Sequence, residues 1–319
     1  MKHISILVPK GAILGSIEGP RQLLTQVNQF FKEKGETPLF KVQLVGLSKE
    51  TKLSGGLFTV HNLLLEDIKK TDLIIIPAID GEMNDALEMN NDFVPWIVKH
   101  HKKGAEVASL CMGAFLLAST GLLKGKKCAT HWAAANEFRK MFPDVNLVPD
   151  KIITDESGIY SSGGAYSYLN LILYIIEKYA GRDIAILCAK VFAIEIERNS
   201  QSSFNIFSGQ KEHGDDPIKN AQEFIENNFQ EKITVDKLAS VLALGRRNME
   251  RRFKKATSNT VVEYIQRVKI EAAKKSFETS KKNINEVMYD VGYSDNKSFR
   301  TVFKKITGLS PVDYRNKYN

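Results

Sequence analysis

The segment Phe253-Lys254-Lys255-Ala256-Thr257-Ser258-Asn259-Thr260-Val261-Val262-Glu263-Tyr264 returns fifty residues later as Phe303-Lys304-Lys305-Ile306-Thr307-Gly308-Leu309-Ser310-Pro311-Val312-Asp313-Tyr314. A repeat of this length means two copies of one small structural unit. In the first copy Thr234 caps a helix carrying Leu238, Ala239 and Leu242 on one face. Leu242 to Gly245 makes a turn, and Arg246 to Ala256 forms a basic helix with Met249 and Phe253 inward. The second copy runs Ile284 to Val291, turns at Gly292 to Asp295, and continues as Asn296 to Ile306 with Phe299 and Phe303 inward. This spacing predicts two helix-turn-helix modules. Pro217 fits the start of a helix over Asp216 to Phe229. Val261 to Glu278 predicts one long helix joining the two cores through Val262, Ile265, Val268, Ala272 and Phe277.

Charge follows the repeat. Residues 217–319 hold 21 Lys/Arg against 12 Asp/Glu, whereas residues 1–216 hold 24 against 25. A basic unit beside a neutral one implies a polyanion partner for the first and a small or uncharged one for the second. The outward positions of the two basic helices are Arg246, Arg247, Asn248, Glu250 and Arg251, then Asn296, Lys297, Ser298, Arg300 and Thr301. Those residue types read base edges, arginine on guanine above all. Lys254, Lys255, Lys304 and Lys305 suit phosphate or solvent equally. The first helix, with the three outward arginines Arg246, Arg247 and Arg251, is expected to be the stronger reader and the second to contribute position and phosphate contact.

In the first two hundred residues, apolar runs of strand length alternate with amphipathic stretches: Ile4 to Val8 then Pro20 to Lys34, Leu39 to Leu47, Asp72 to Pro77 then Asn84 to His101, Ala105 to Leu110 then Gly113 to Thr120. The alternation predicts an α/β, flavodoxin-like, doubly wound sheet with helices on both faces, followed by the all-α domain of the repeat. Thr51 to Val60 and Asn146 to Ser161 read as hairpins, Gly164 to Tyr179 and Arg182 to Arg198 as helices. The expected domains are 1–199, a polar linker over 200–216 that docks through Phe204, Ile206 and Phe207, and 217–319. Ligands of such sheets bind at the carboxyl ends of the strands.

One strand end has the layout of a nucleophile elbow. Cys111 sits between the run Val107 to Leu110 and the helix opened by Gly113. The elbow exposes a thiol, and the helix N-terminus favours its thiolate. The plain alternative is a small apolar core residue. His131 is the base candidate, with packing or capping as the alternative. Three scattered cysteines make neither a disulfide framework nor a zinc site, so no metal or other cofactor is expected. No signal peptide or membrane span is apparent, and a cytoplasmic protein is expected.

Two resemblances sharpen these readings. Gly292-Tyr293-Ser294-Asp295 with Phe299, then Phe303 to Arg315, resembles the AraC-type DNA-binding domain, over about Pro217 to Tyr318. It implies a transcription regulator, an activator among them, whose recognition helices enter two successive major grooves of double-stranded DNA about 10 bp apart. It further implies a homodimer and RNA polymerase as partner. Departures are Ser258 and Val261, where Gly and Pro are usual, Met288 for a small alanine, and Thr301 for arginine. Gly104 to Leu117, Gly121 to Gly125 and Thr130-His131-Trp132 resemble the ThiJ/PfpI branch of the class I glutamine amidotransferase-like proteins, over about Met1 to Gly181. Enzymes of that branch pair the elbow cysteine with an acid four positions before a proline; here that position is Ser16, before Pro20. Met112 replaces a histidine found in peptidase-like members, Ile79 lies where a glycine pair is usual, and Tyr166 and Tyr168 stand at commonly small positions. The resemblance thus implies a pocket built from Ser16, Ile79, Cys111, Met112, His131 and Tyr166 that senses an unidentified small molecule rather than a catalyst. The alternatives are a cysteine-dependent hydrolase or hydratase with an appended DNA-binding domain, and a constitutive DNA binder using the first domain only to dimerise.

Overall fold

The computed structural model describes residues 1–196, 200–211 and 213–319 and divides into two compact units, Met1–Gln201 and Ser202–Asn319. The expected boundary at residue 199, the end of the helix read to Arg198 and the start of the linker lie partly outside the described residues; the helix itself, Arg182–Val191, is shorter than expected.

In the first unit the strands are β1 Lys2–Leu7, β2 Phe40–Gly46, β3 Glu50–Leu53, β4 Phe58–His61, β5 Leu63–Leu64, β6 Leu73–Ile76, β7 Glu106–Leu110, β8 Lys127–Cys128, β9 Asn146–Leu147, β10 Ile153–Asp155 and β11 Ile159–Ser162. Seven form one sheet in the order β10-β11-β7-β6-β1-β2-β5, parallel except for β10. The chain reverses direction across the sheet between β1 and β6, which is where a doubly wound sheet opens its crevice. The four residues of β6 are all fully buried because both faces are covered.

The helices α1 Gly15–Glu33, α6 Tyr168–Ala180 and α7 Arg182–Val191 cover one face, while α2 Met83–Met89, α3 Phe93–Lys102, α4 Ala114–Ser119 and α5 Ala135–Met141 cover the other. The stretch read as one helix over Asn84 to His101 is broken at Asn90, whose buried side chain bonds Lys10 N, Lys10 O and Ala86 O. The reading of Asn146 to Ser161 as one hairpin also needs correction. The hairpin is β10–β11, and β9 pairs with β8 instead.

The second unit holds α8 Asp216–Asn228, α9 Val235–Val241, α10 Arg246–Thr257, α11 Val261–Thr279, α12 Ile284–Asp290, α13 Asn296–Thr307 and α14 Pro311–Tyr318. Its caps are local and repeated: Thr234, Thr260, Asn283, Asp295 and Ser310 each accept backbone N–H groups at a helix start. Two apolar cores result, one per copy, and α11 belongs to both. Val261, Tyr264 and Ile265 enter the first core, Ile270, Ala273 and Phe277 the second. Val262, expected to bridge them, is 53% exposed, because the inward stripe of α11 passes through its neighbour Val261.

Candidate nucleic-acid interface and cysteine elbow

Each recognition helix is anchored on its inner face by two large side chains and a buried threonine, Thr257 or Thr307, and turns most of its polar side chains to solvent. Met249 and Phe253 fix α10; Phe299 and Phe303 fix α13. Arg247, Asn248, Glu250 and Arg251 on α10, and Lys297, Ser298, Arg300 and Thr301 on α13, are exposed, as are Lys254, Lys255, Lys304 and Lys305. Arg246 is exposed but engaged, 3.0 Å from Asp236 and 3.5 Å from Glu250. Arg251 donates to Asn248 at 3.2 Å, and Thr301 Oγ1 to the Lys297 carbonyl. Asn296 is half-buried and donates to Asn285 at 2.8 Å, so it braces α13 on α12. Of the named cations, Arg246 and Arg251 are engaged in this way; the side chains of Arg247, Lys297, Arg300 and the four lysines have no ion-pair or hydrogen-bond partner among the described residues. Arg247, Arg251, Lys254 and Lys255 line a surface hollow of about 590 Å³ beside the start of α11.

The turns differ in a way the uniform repeat conceals. The left-handed residue is Ala243 (φ 50°) in the first turn and Gly292 (φ 72°) in the second. After the recognition helices the pair is Ser258 (φ 58°) and Gly308 (φ 77°). The second copy uses glycine at both places, where an L side chain costs energy. Moreover α13 is capped by Asp295, while α10 starts at Gly245 without a side-chain cap.

The elbow in the first unit is real. Cys111 has φ 52°, at the carboxyl end of β7. A Cβ on Gly113 would fall 2.7 Å from the Ile76 carbonyl and closer still to that of Pro77, so only glycine lets this turn sit on the end of β6. The thiol, however, is buried rather than presented, which corrects the thiolate expectation. Burial pushes it up to about 11, and the Met112 amide that donates to it recovers only part of the shift. Helix α4 starts three residues later and is six residues long, too little to outweigh desolvation.

His131 caps a short turn: its Nδ1 accepts the Ala133 N–H at 3.2 Å. Burial lowers its pKa, so the ring is neutral at pH 7. Among the described residues no hydrogen bond joins it to Cys111. The His131 loop is nonetheless tied to the elbow, because Thr130 Oγ1 donates to the Cys111 carbonyl at 3.0 Å.

Ser16 is buried in the first turn of α1, donates to the Ile13 carbonyl at 2.7 Å and accepts from Ala78 N–H at 3.0 Å. It staples the loop after β1 to the segment after β6. Ile79, buried, forms an isolated bridge with Ala12 in the same staple. Glu18 is no substitute acid, since Arg21 at 2.6 Å holds its carboxyl below the usual range. Met112 is half-buried on the sheet face covered by α2–α5. Tyr166 is 73% exposed, a correction to its reading as a pocket wall; Tyr168 turns inward and donates to the Gly15 carbonyl at 2.7 Å.

Two polar residues here escaped the sequence reading. Ser162, paired in register with Leu110 just before the elbow, keeps a buried Oγ without a hydrogen-bond partner among the described residues. Gln201 donates to the carbonyls of Thr130 (3.0 Å), Pro149 (2.8 Å) and Lys151 (3.2 Å), leaving its Oε1 buried and unpartnered among the described residues. Gln201 lies far along the chain in a polar stretch, where nothing in the sequence marks it. Among the described residues, no group of three or more His, Cys, Asp or Glu could hold a metal, and no helix is long and apolar enough to cross a membrane.

Comparison with known proteins gives two family matches: a helix-turn-helix domain over residues 238–317 and the DJ-1/PfpI family over residues 24–178. The chain is similar to the HTH-type transcriptional regulator GbdR of Pseudomonas aeruginosa, 24% identical over 75% of this chain and 66% of that protein. It is likewise similar to the HTH-type transcriptional regulator CdhR of the same species, 22% identical over 82% of this chain and 77% of that one. The first of these relatives is thus matched over just under two thirds of its length. Among solved structures, a ThiJ/PfpI family protein from Pseudomonas syringae aligns over 76% of this chain and 90% of its own with a TM-score of 0.51 at 16% identity, a likeness of fold.

Proposed function

Because this chain joins a DJ-1/PfpI-family domain to an AraC-type helix-turn-helix domain, we propose that it is a sequence-specific transcription regulator whose first unit senses a small molecule. The observation that carries the reading is the repeat itself: two like helices, each anchored on one face and basic on the other, in a unit with a marked excess of positive charge. Arg247 and Arg251 on α10, with Lys297 and Arg300 on α13, are the base readers, and the exposed lysines that follow meet phosphate. Binding two grooves, as a homodimer that addresses RNA polymerase, is the arrangement we infer for the whole protein.

Sensing rather than catalysis is supported by the elbow's chemistry. At pH 7 a thiol with a pKa near 11 is thiolate in roughly one molecule in ten thousand. The position of the family acid holds Ser16, already committed to the backbone. The buried acceptors Gln201 Oε1 and Ser162 Oγ near the elbow favour a ligand bearing N–H groups.

Selection of duplexes from a random pool by the full-length protein, followed by affinity measurements at physiological salt, tests the DNA reading. Arg251→Ala and Lys297→Ala should each lose about 1–3 kcal/mol on the selected duplex; unchanged affinity for both would sink the assignment. Thermal-shift screening of the full chain against amines, amino acids and aldehydes tests the sensor, since a ligand of the native state raises its melting temperature. A full transcriptional response in Cys111→Ala would make the thiol dispensable.

A further inference from the structure

The polar segment between the two sequence-defined domains is built into the DNA-reading unit. The turn Ser202–Phe204 packs on α13, and Phe204 stacks edge-on against Tyr318 of α14 at 6.4 Å while Lys317 Nζ lies 4.8 Å from its ring. Lys274 of α11, 3% exposed, donates to the Asn205 carbonyl at 2.5 Å and pairs with Glu271 at 2.8 Å. The same Glu271 oxygen accepts the Phe207 N–H at 3.1 Å. Phe207 then leaves the second core for the first, packing edge-on against Tyr264 at 5.1 Å. Gly209, at φ 73°, passes so close to the Tyr264 hydroxyl that a Cβ has no room. Gln210 is clasped by Gln222 and Asn259, each at 3.0 Å.

Eight residues therefore touch the second helix-turn-helix at one end and the first at the other. Resting on our reading of this unit as a two-groove DNA reader, we propose that residues 203–210 are a strap that sets the separation of α10 and α13, with Phe207 and Lys274 as positioning residues. Two modules bound at once gain affinity from the second contact only in so far as their spacing is held to that of the grooves. Helix α11 joins the copies end to end; the strap closes the frame along its flank. A buried lysine satisfied by a backbone carbonyl and a carboxylate is an expensive way to hold a passive linker. It is well suited to fixing a distance.

The test uses full-length protein on duplexes carrying two selected half-sites at spacings one base pair shorter, equal to and longer than the preferred one, plus a duplex with one half-site. For Phe207→Ala and Lys274→Met, the preference of the wild type for its best spacing should fall by about tenfold. Single-site affinity should stay at the wild-type value, and Phe207→Leu should restore the preference. If Phe207→Ala fails to fold, Glu271→Gln keeps the apolar contacts and should still weaken the preference. Folded variants with wild-type spacing preference would overturn the proposal. So would an equal loss at every duplex, single-site included, since that reports only instability. A wild type that binds two half-sites no better than one would refute the two-groove reading itself, and the strap with it.

Discussion

Gly292→Ala separates the demands of the second turn from those of the first. Gly292 has φ 72°, and a Cβ there would lie 2.7 Å from Lys269 Nζ and nearer still to the Gln230 carbonyl. Lys269 Nζ donates to the Gly292 carbonyl at 2.9 Å, so the methyl group intrudes on a partly buried, charged hydrogen bond as well as on backbone. The left-handed conformation costs an L residue about 1–2 kcal/mol. Overpacking against a carbonyl that cannot swing away adds about 1–3 kcal/mol. The sum, about 2–5 kcal/mol, is a large fraction of the roughly 5–15 kcal/mol that holds a domain together. The two tryptophans, Trp96 and Trp132, both lie in the first unit, so in urea their fluorescence follows that unit while helical circular dichroism reports on both. The part of the dichroism change that fluorescence does not follow should move to lower urea, as that loss requires, and the fluorescence transition should stay. Ala243→Gly, at the equivalent residue of the first turn with φ 50°, should stabilise by about 0.5–1 kcal/mol, strain relieved less the entropy glycine brings to the unfolded chain. A loss under about 1 kcal/mol in Gly292→Ala, or a fluorescence shift as large as the dichroism shift, would refute the reasoning.

Ser258→Gly should likewise raise the dichroism midpoint, by up to about 1 kcal/mol, because Ser258 occupies the left-handed cap that Gly308 fills in the other copy; a lower midpoint would count against strain at that cap. Native Cys111 should react with iodoacetamide near neutral pH about 100-fold more slowly than the denatured chain, because burial pushes its thiol up to about 11. Equal rates would show the elbow thiol to be activated. Above the ordinary thiol range the unfolded chain releases a proton that native Cys111 keeps until about pH 11, so the first unit should lose stability as pH rises through that window. On the acid side, burial, with Lys103 and Lys99 adding, holds His100 below its ordinary value, and burial alone does so for His131. The unfolded chain then binds protons that the native one declines, and fluorescence-monitored stability should fall as pH drops below about 6.5; a flat profile there would contradict the burial of both rings.

The second unit was legible because its signals are local. The cap at Thr234 and the apolar spacing of Met249–Phe253 and Phe299–Phe303 each act within one or two helical turns, and the structure uses every one. What the repeat hid was a one-residue slip: α10 and α13 start fifty residues apart, yet Ala243 and Gly292, the left-handed residues before them, stand forty-nine apart. A constant offset aligns Ala243 with Tyr293 and conceals that the same turn is glycine-built in one copy and strained in the other.

The sheet and the elbow were legible for the same reason, apolar runs and a glycine at a fixed place. The state of the thiol was not, because it is decided by burial beneath elements that meet Cys111 only in three dimensions. The N-terminus of a six-residue helix and one amide donor compete there against nearly complete desolvation, and desolvation wins. Gln201 illustrates the same limit from the other side. A glutamine ninety residues from the elbow joins it through Thr130, one hydrogen bond from the carbonyl of Cys111. Since the chain passes from Gln201 into the residues that strap the two helix-turn-helix cores, Gln201→Ala should weaken any effector response while leaving effector-free DNA affinity unchanged. Both quantities are measurable on one selected duplex, and an unaltered response would mean that the elbow and the DNA-reading unit are not linked through this residue.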